Sequence, residues 1–326
     1  MLAITVTSPG GPEVLRLAER PDPEPGVDEI VVDVAAAGVN RADLLQRRGH
    51  YAPPAGATDI LGLECSGVVA EVGDGVSRWR VGDACVALLA GGGYATKVAV
   101  PEGQLVPVPD GIDLVTAAGL IEVAATVVSN LSLAGLTDGD RLLVHGGAGG
   151  IGSFAVQYGR TIGARVVTTA GSPDKLDYCR SIGAELAVSY REDWPAVVAA
   201  WADGGVDVIL DVVGAEYLES NVGCLATGGR LVVIGLQGGR RGTLDLGTLL
   251  QKRGHVIATN LRGRPVPEKS EICATVEATV WPLLTSGVIR PAPQTVFPLG
   301  DAAAAHRRLE SGDSVGKIIL TTDGLS

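Results

Sequence analysis

Five glycines among the seven residues from Gly146 to Gly152 are the part of the sequence that points most directly to chemistry. An apolar β-run at 141–145 precedes them, and a predicted helix at 153–162 follows. Glycine lets the backbone turn tightly and approach a pyrophosphate, and the positive end of a helix favours the phosphate charge. This strand–turn–helix context indicates a dinucleotide-binding loop rather than a tight turn alone.

The residues after the next predicted strand, Thr168 to Lys175, bear on which dinucleotide fits. An NAD site usually has Asp or Glu there, but no acid directly follows this strand. Ser172 could donate a hydrogen bond to a 2′-phosphate, Lys175 could pair with its charge, and Tyr190 would lie at the same edge. Ser172 before Pro173 is also an ordinary helix N-cap, Lys175 could be solvated, and Tyr190 could be a half-buried surface residue. The missing acid favours NADPH.

The elements that must position this loop alternate in type along the chain. Apolar β-runs at 141–145, 164–169, 186–189, 206–212, 230–234 and 255–259 are separated by helical segments, and a long apolar helix is expected at 114–134. Continuous apolar strands spaced by helices are typical of a doubly wound parallel sheet. We assign this dinucleotide-binding domain to residues 119–265.

Short β-runs and turns dominate the first part of the sequence, with runs at 30–34, 65–72, 84–89 and 94–100. This pattern predicts an antiparallel, barrel-like domain. After a helix that ends near 286, the last segment has a helix at 301–310 and a strand at 317–321, and it is expected to return to the first domain. The barrel domain therefore spans 1–118 and 266–326, and the fold class is α/β.

Length and composition limit the functional classes. The 326 residues fit two domains, and the net charge of -11 disfavours nucleic acid and anionic membranes as partners. The longest apolar region, 112–136, is interrupted by polar residues and is not expected to span a membrane. Five scattered cysteines and a start without a signal-peptide pattern fit a reducing cytoplasm and argue against a cysteine zinc cluster.

Several motifs together carry a family resemblance over essentially the whole chain. They are the segments at 11–15, 38–43, 61–67, 81–83 and 316–320, the glycine loop, and above all the stretch from Asn40 to Pro54. The chain resembles the zinc-independent quinone oxidoreductases of the medium-chain dehydrogenase/reductase superfamily, and looks closest to their p53-inducible branch. The resemblance implies a GroES-like β-barrel with an inserted Rossmann domain, and NADPH-dependent hydride transfer to a quinone.

The resemblance also implies that no metal is bound. In zinc alcohol dehydrogenases the position of Asn40 is a zinc-binding cysteine, and the position of Leu63 is a zinc-binding histidine. Neither asparagine nor leucine supplies a thiolate or an imidazole. Reduction of an activated acceptor is therefore expected rather than zinc-assisted oxidation of an alcohol.

The resemblance assigns individual site residues. Asn40, beside the nicotinamide ribose or the substrate, and Tyr51, at the mouth of the quinone pocket, are the catalytic candidates, with water as the other possible proton source. Lys317 would reach toward the cofactor cleft, although a solvated strand lysine stays an alternative. The pyrophosphate would contact the glycine loop, at Gly147, Ala148, Gly149, Gly150, Ile151 and Gly152. The 2′-phosphate would contact Ser172, Lys175 and Tyr190. The nicotinamide would lie beside Gly235, Leu236 and Gln237.

One segment departs from the family pattern. Relatives commonly have a proline at the position of Ile121 and a bulky residue at the position of Ala124, and the change is expected to reshape the acceptor pocket. Reduction of α,β-unsaturated ketones or enoyl thioesters therefore stays open beside quinone reduction. A cofactor-binding scaffold without turnover is a third possibility. Relatives also suggest a homodimer, joined through the edge of the Rossmann sheet near 255–261.

Overall fold

The computed structural model describes residues 1–325 and defines the strands and helices used below. The strands in this range are β1 (Leu2–Val6), β2 (Leu15–Glu19), β3 (Glu29–Val39), β4 (Glu64–Val72), β5 (Ala84–Leu88), β6 (Lys97–Pro101), β7 (Leu105–Pro107), β8 (Arg141–His145), β9 (Arg165–Ala170), β10 (Leu186–Ser189), β11 (Val206–Asp211), β12 (Leu225–Val233), β13 (His255–Ala258), β14 (Gln294–Pro298) and β15 (Lys317–Thr321). The α-helices are α1 (Arg41–Arg47), α2 (Leu114–Ala117), α3 (Ile121–Leu133), α4 (Gly150–Thr161), α5 (Pro173–Ser181), α6 (Trp194–Ala202), α7 (Leu218–Cys224), α8 (Leu246–Lys252), α9 (Val266–Thr279), α10 (Trp281–Thr285) and α11 (Ala302–Glu310).

A parallel six-stranded sheet forms the centre of one compact unit, residues 126–260. Its strand order is β10-β9-β8-β11-β12-β13, and every neighbouring pair is parallel. The chain starts at β8 and moves first to one side and then to the other. The loop after β8 is therefore at the topological switch point, where ligands bind in doubly wound sheets. The predicted doubly wound sheet is confirmed.

The apolar runs of this sheet are buried because helices cover them. Leu143 and Ile209 on the central strands are fully buried, and they share a core cluster with Val198 of α6 and Val222 of α7. Burial at about 25 cal/mol per Å² of apolar surface makes such strands continuous hydrophobic runs rather than alternating ones. This is why the sequence pattern was informative here.

The second compact unit, residues 1–125 and 261–325 among those described, is organised around the long strand β3. The strand order is β14-β15-β3-β4-β5-β7, and β6 also pairs with β3. All these pairs are antiparallel except β14 with β15. The C-terminal strand β15 thus returns to the N-terminal part of the chain, as the sequence predicted, and completes the GroES-like domain.

The predicted long helix at 114–134 is two helices, α2 and α3, with a turn between them. A Cβ atom added to Gly119 in that turn would lie 2.8 Å from Cγ of Lys317, so the close approach of β15 requires glycine here. The segment Leu114–Leu133 is long and apolar enough to cross a membrane, but 72% of its most apolar window is buried inside the protein, as in a core helix. The predicted helix ending near 286 is likewise divided, into α9 and α10.

Three short helices, α1, α7 and α8, were missed at the sequence level. Each has seven residues, which is too short for a clear helical period in hydrophobicity. Local capping still defines their ends. Asp245, for example, accepts hydrogen bonds from two backbone N–H groups at the start of α8.

Candidate active site

The glycine loop between β8 and α4 lies so close to other atoms of the chain that two of its positions leave no room for a side chain. A Cβ atom on Gly147 would lie 2.1 Å from Oγ1 of Thr168, and one on Gly152 would lie 2.1 Å from the carbonyl oxygen of Gly146. Gly146 has a φ of 75°, a conformation that favours glycine. Gly149 caps α4 without a side-chain hydrogen bond, so the first-turn N–H groups need another acceptor. This cradle fits a pyrophosphate.

The ends of β9 and β10 bring together the residues predicted to select the cofactor. A Cβ atom on Gly171 would lie 2.3 Å from the hydroxyl oxygen of Tyr190, so this ring lies beside the Gly171–Ser172 backbone. Ser172 is the N-cap of α5, and Pro173 follows at the first helical position, as the alternative interpretation expected. The Ser172 hydroxyl makes no capping hydrogen bond within the described chain. Lys175 lies in the first turn of α5. Their contact with a phosphate stays a prediction.

The loop after β12 contains the residues predicted to border the nicotinamide. The N–H of Gln237 donates to the carbonyl of Val212 at 3.3 Å, and a Cβ atom on Gly235 would lie 2.6 Å from the same oxygen. This loop is therefore fixed against the loop after β11, while Leu236 is about half exposed. Because both loops follow parallel strands, they lie at the same edge of the sheet as the glycine loop.

In the barrel unit, Asn40 lies in a buried polar cluster with Lys317 and Glu64. Nζ of Lys317 donates to Oδ1 of Asn40 at 2.6 Å and pairs with Oε1 of Glu64 at 2.5 Å. Nδ2 of Asn40 donates to the same Glu64 oxygen at 3.0 Å. The Lys317 side chain is 6% exposed and that of Glu64 is 0% exposed. The alternative of a solvated strand lysine is therefore wrong, and Glu64 is a polar group that sequence reasoning missed.

The cluster forms because β15 and β4 both pair with β3 close to Asn40. Ile319 is in register with Gly38, and Cys65 is in register with Ala37. The other oxygen of Glu64 accepts the N–H of Glu122 at 3.0 Å, so both carboxylate oxygens have partners. The attraction within a buried ion pair offsets the cost of desolvation only when such additional hydrogen bonds exist. The Asn40 amide is thus held at both ends, its oxygen by Lys317 and its nitrogen by Glu64.

The charges of this cluster influence the pKa of Glu122, at the start of α3. Burial and the like charge of Glu64 raise the pKa of Glu122 well above its ordinary value, and Lys317 opposes the effect. Ile121 and Ala124, which differ from the family pattern, are fully buried in the same helix.

Tyr51 lies against a buried arginine that the sequence did not single out. The guanidinium carbon of Arg262 is 5.2 Å from the centre of the Tyr51 ring, a cation–π contact. Nε of Arg262 donates to the carbonyl of Ala90 at 2.7 Å, and Nη2 donates to Oε1 of Gln46 at 2.8 Å. Nη1 is buried and has no hydrogen-bond partner among residues 1–325. An orphaned charged donor is costly, so it indicates a place for an acceptor atom.

The donor set near Asn40 does not fit zinc. Asn40 offers an amide, Leu63 is buried hydrocarbon, and the Lys317 ammonium already contacts the oxygen atoms of Asn40 and Glu64. Burial raises the pKa of the Cys65 thiol well above its usual value, which disfavours the thiolate. Within residues 1–325 no group of three or more His, Cys, Asp and Glu side chains could hold a metal ion.

Family models match both parts of the chain. A model described as an alcohol dehydrogenase GroES-like domain matches residues 26–110, and one described as a zinc-binding dehydrogenase matches residues 150–276. Among residues 1–325, no group of three or more His, Cys, Asp and Glu side chains matches the zinc of the second description.

Full-length relatives are found among curated proteins. A quinone oxidoreductase of Pseudomonas aeruginosa is 34% identical over 318 residues, which cover 95% of this chain and 96% of that protein. A phenolphthiocerol/phthiocerol polyketide synthase subunit of Mycobacterium tuberculosis is 31% identical over 98% of this chain. The chain spans only 15% of the length of that subunit.

Solved structures give the same result for the fold. The Escherichia coli quinone oxidoreductase complexed with NADPH is 30% identical, with a TM-score of 0.90 over 98% of this chain and 100% of that one. The CurK enoyl reductase is 27% identical, with a TM-score of 0.87 over 98% of both chains. Given a relative of 34% identity over nearly its whole length, this chain belongs to the quinone oxidoreductase family of the medium-chain dehydrogenase/reductase superfamily.

Proposed function

We propose that this protein is an NADPH-dependent, zinc-independent reductase that transfers a hydride to a conjugated acceptor, with quinones as the first candidates. The observation that carries the proposal is the glycine cradle after β8, combined with a strand β9 that no acidic residue directly follows. The NADPH complex of the Escherichia coli relative and the quinone oxidoreductase relatives support it. The poor zinc donor set favours reduction over zinc-assisted alcohol oxidation.

The cofactor would be held by three groups of residues at the carboxyl edge of the parallel sheet. The loop from Gly147 to Gly152 binds the pyrophosphate, and Ser172, Lys175 and Tyr190 bind the 2′-phosphate. Gly235 to Gln237 border the nicotinamide. The bound nicotinamide supplies the hydride, and the protein supplies orientation and exclusion of water.

Asn40, Glu64 and Lys317 would supply and position the proton. Lys317 is proposed to release one proton from Nζ to the acceptor that has gained the hydride. The resulting neutral amine regains a proton from water. Glu64 pairs with the ammonium group, and Asn40 fixes the direction of Nζ through the 2.6 Å hydrogen bond.

Tyr51 and Arg262 would receive the acceptor's oxygen. Negative charge develops on that oxygen as the hydride arrives, and a fixed, desolvated donor stabilises such charge strongly. The unpaired Nη1 of Arg262 is a donor of this kind, and the Tyr51 ring offers a face against which a planar acceptor can stack. A movement of Tyr51 away from Arg262 would open this position.

A second candidate is reduction of the carbon–carbon double bond of an enone or enoyl thioester. The similarity to the CurK enoyl reductase favours it, as does the small, buried Ala124, where the family resemblance implies a bulky residue. Both reactions deliver hydride to an electron-poor conjugated carbon, so the same side chains serve either.

The test is a panel of quinones, enones and enoyl thioesters, each measured with NADPH and with NADH. We expect the highest kcat/KM with quinones and a preference for NADPH of about tenfold or more, since a charge-assisted phosphate contact contributes about 1.5–3 kcal/mol. Turnover with enones or enoyl thioesters alone would contradict quinone reduction and support reduction of the carbon–carbon double bond instead. Tight NADPH binding without any turnover would support the third possibility, a cofactor-binding scaffold.

The variant Lys175→Ala tests the proposed contact between Lys175 and the 2′-phosphate. It should raise the KM for NADPH and leave the KM for NADH unchanged. Lys97→Ala, which removes a lysine paired with Asp22 in the other unit, is the matched variant that should change neither.

We also propose a homodimer formed through the free edge of β13. One side of this strand pairs with β12, and the strand ends the sheet, with Val256 exposed. Leu246 and Leu250 on nearby α8 are 68% and 77% exposed, which is unusual for a monomer surface. A second copy pairing along β13 would cover an edge that proteins otherwise protect.

Val256→Lys should convert this dimer to a monomer, because an edge lysine opposes strand pairing. The measurement is molar mass by light scattering across a range of protein concentrations. Val288→Lys, which changes another exposed valine in the barrel unit, is the control and should stay dimeric. A wild-type monomer at every concentration would contradict the proposal.

The expected compartment is the cytoplasm. All five cysteines are free and buried, which fits a reducing environment. The net charge of -11 supports small-molecule substrates rather than nucleic acid or membrane partners.

A further inference from the structure

We propose that Tyr94 and His306 are positioning residues that act on Asn40 through the buried carboxylate of Asp43. The proposal rests on the proposed function, in which Asn40 directs the proton-donating Lys317. None of the motifs considered in the sequence pointed to a role for Tyr94 or His306.

A continuous line of hydrogen bonds joins these residues inside the barrel unit. Nη1 of Arg47 lies 3.1 Å from Nδ1 of His306, and Nε2 of His306 lies 3.1 Å from the hydroxyl of Tyr94. That hydroxyl donates to Oδ2 of Asp43 at 3.2 Å. All four side chains are fully buried. Arg47 is anchored at its outer end by the carboxylate of Glu310 on α11.

The line can run in only one direction. Arginine always donates, so Nδ1 of His306 must accept and its proton must be on Nε2. The Nε2–H group then donates to the Tyr94 oxygen, which leaves the tyrosine proton for Asp43. Burial and the charge of Arg47 lower the pKa of His306 to about 3, which is consistent with a neutral ring. Burial raises the pKa of Tyr94 well above its usual value, so its proton stays in place.

Asp43 transmits this arrangement to the site. Its Oδ2 accepts the backbone N–H of Asn40 at 2.7 Å, and its Oδ1 accepts the N–H of Gly62 at 3.1 Å. Asn40 is also the N-cap of α1, and Asp43 is the third residue of that helix, which makes a capping box. The carboxylate therefore fixes the backbone from which the Asn40 amide projects, and it links that backbone to α11.

The ionised carboxylate of Asp43 is the form best suited to these three donors, because it accepts at both oxygens and carries no proton of its own. Burial raises the pKa of Asp43 to about 6, and the N–H groups of Asn40 and Gly62, the charge of Lys317 and the Tyr94 hydroxyl all oppose that rise. The titratable and charged groups that face Asp43 are Tyr94, Lys317, Arg262 and Glu122. Loss of the Tyr94 hydroxyl would therefore raise this pKa further and favour the protonated carboxyl near neutral pH.

The first experiment compares Tyr94→Phe with the wild-type protein over pH 5–9, using an acceptor that the wild type reduces. We expect the acid limb of kcat to move up by about one pH unit, with kcat near pH 6 reduced about fivefold, as for loss of a hydrogen bond to a charged group. The KM for NADPH should not change. His306→Leu should behave in the same way, and His306→Gln, which keeps a donor toward Tyr94, should recover most of the wild-type profile.

Val100→Ala is the control for a merely structural role, because Val100 is buried in the same apolar core and its apolar side chain has no part in the line of hydrogen bonds. It should lower stability without moving the acid limb. If Tyr94→Phe lowers kcat equally at every pH, as expected for simple destabilisation, the inference is overturned.

A second measurement does not depend on catalysis or on any variant. Nitrogen NMR of the wild-type protein should show His306 neutral, with its proton on Nε2, from pH 5 to pH 8. A proton on Nδ1, or a charged ring at pH 6, would overturn the inference while leaving the reductase proposal intact. If instead no acceptor is reduced, the NMR result still decides whether the line of hydrogen bonds exists.

Discussion

Lys317→Met should both unfold the protein more easily and nearly stop turnover. The buried Glu64 side chain would lose its cation, and removing one partner of a buried ion pair costs about 3–5 kcal/mol. Turnover should fall about a hundredfold, within the range for loss of a positioned proton donor. Urea unfolding and steady-state kinetics with the best acceptor measure the two effects.

The double variant Lys317→Met, Glu64→Gln separates the effect on stability from the effect on turnover. Removing the orphaned charge should restore most of the stability, because a neutral pair of similar volume avoids the desolvation penalty. Turnover should stay low, because no group has replaced the ammonium. Recovery of both stability and turnover would show that Lys317 only neutralises Glu64 and donates no proton.

Gly152→Ala should weaken NADPH binding about a hundredfold. The new Cβ atom would lie 2.1 Å from the carbonyl oxygen of Gly146 and 2.7 Å from Cα of Gly147, and both are backbone atoms that cannot rotate away. The loop must shift, and displacement of a binding group by about 1 Å can cost a factor of this size. Fluorescence titration of the nucleotide gives the Kd directly.

Gly223→Ala is the matched control within the same unit. A Cβ atom there meets nothing within 4 Å, and the residue lies in α7 with ordinary helical geometry. The variant should bind NADPH normally and gain up to about 1 kcal/mol of stability from helix propensity. If Gly152→Ala also binds normally, the loop does not approach the pyrophosphate as proposed.

Local pattern was sufficient for most of the parallel-sheet unit. Strands β8 and β10 begin and end where the apolar runs do, and the alternation of strands and helices predicts the doubly wound sheet. The predicted ends of strands and helices were less accurate where the hydrophobic pattern was weak. The run at 230–234 is part of the longer strand β12, and the helix at 114–134 is interrupted at a glycine that β15 approaches closely.

The polar groups of the barrel unit were harder to predict because their partners are distant in sequence. Lys317 and Asn40 are 277 residues apart, and Arg47 and His306 are 259 apart. A lysine in a strand has the same local pattern whether it is solvated or paired with a buried carboxylate. Arg262 and Tyr51 likewise meet only because the chain returns to the barrel after the parallel sheet.

The sequence by itself therefore determined the cofactor loop, the two kinds of sheet and the family, because glycine spacing and hydrophobic period are properties of neighbouring residues. Only the tertiary structure decided which charges meet. Pairing of β15 and β4 with β3 places Lys317 and Glu64 on either side of Asn40, and packing of α11 places His306 against Tyr94. Burial excludes water from these groups, and the low local dielectric then strengthens the hydrogen bonds between residues that are far apart in the sequence.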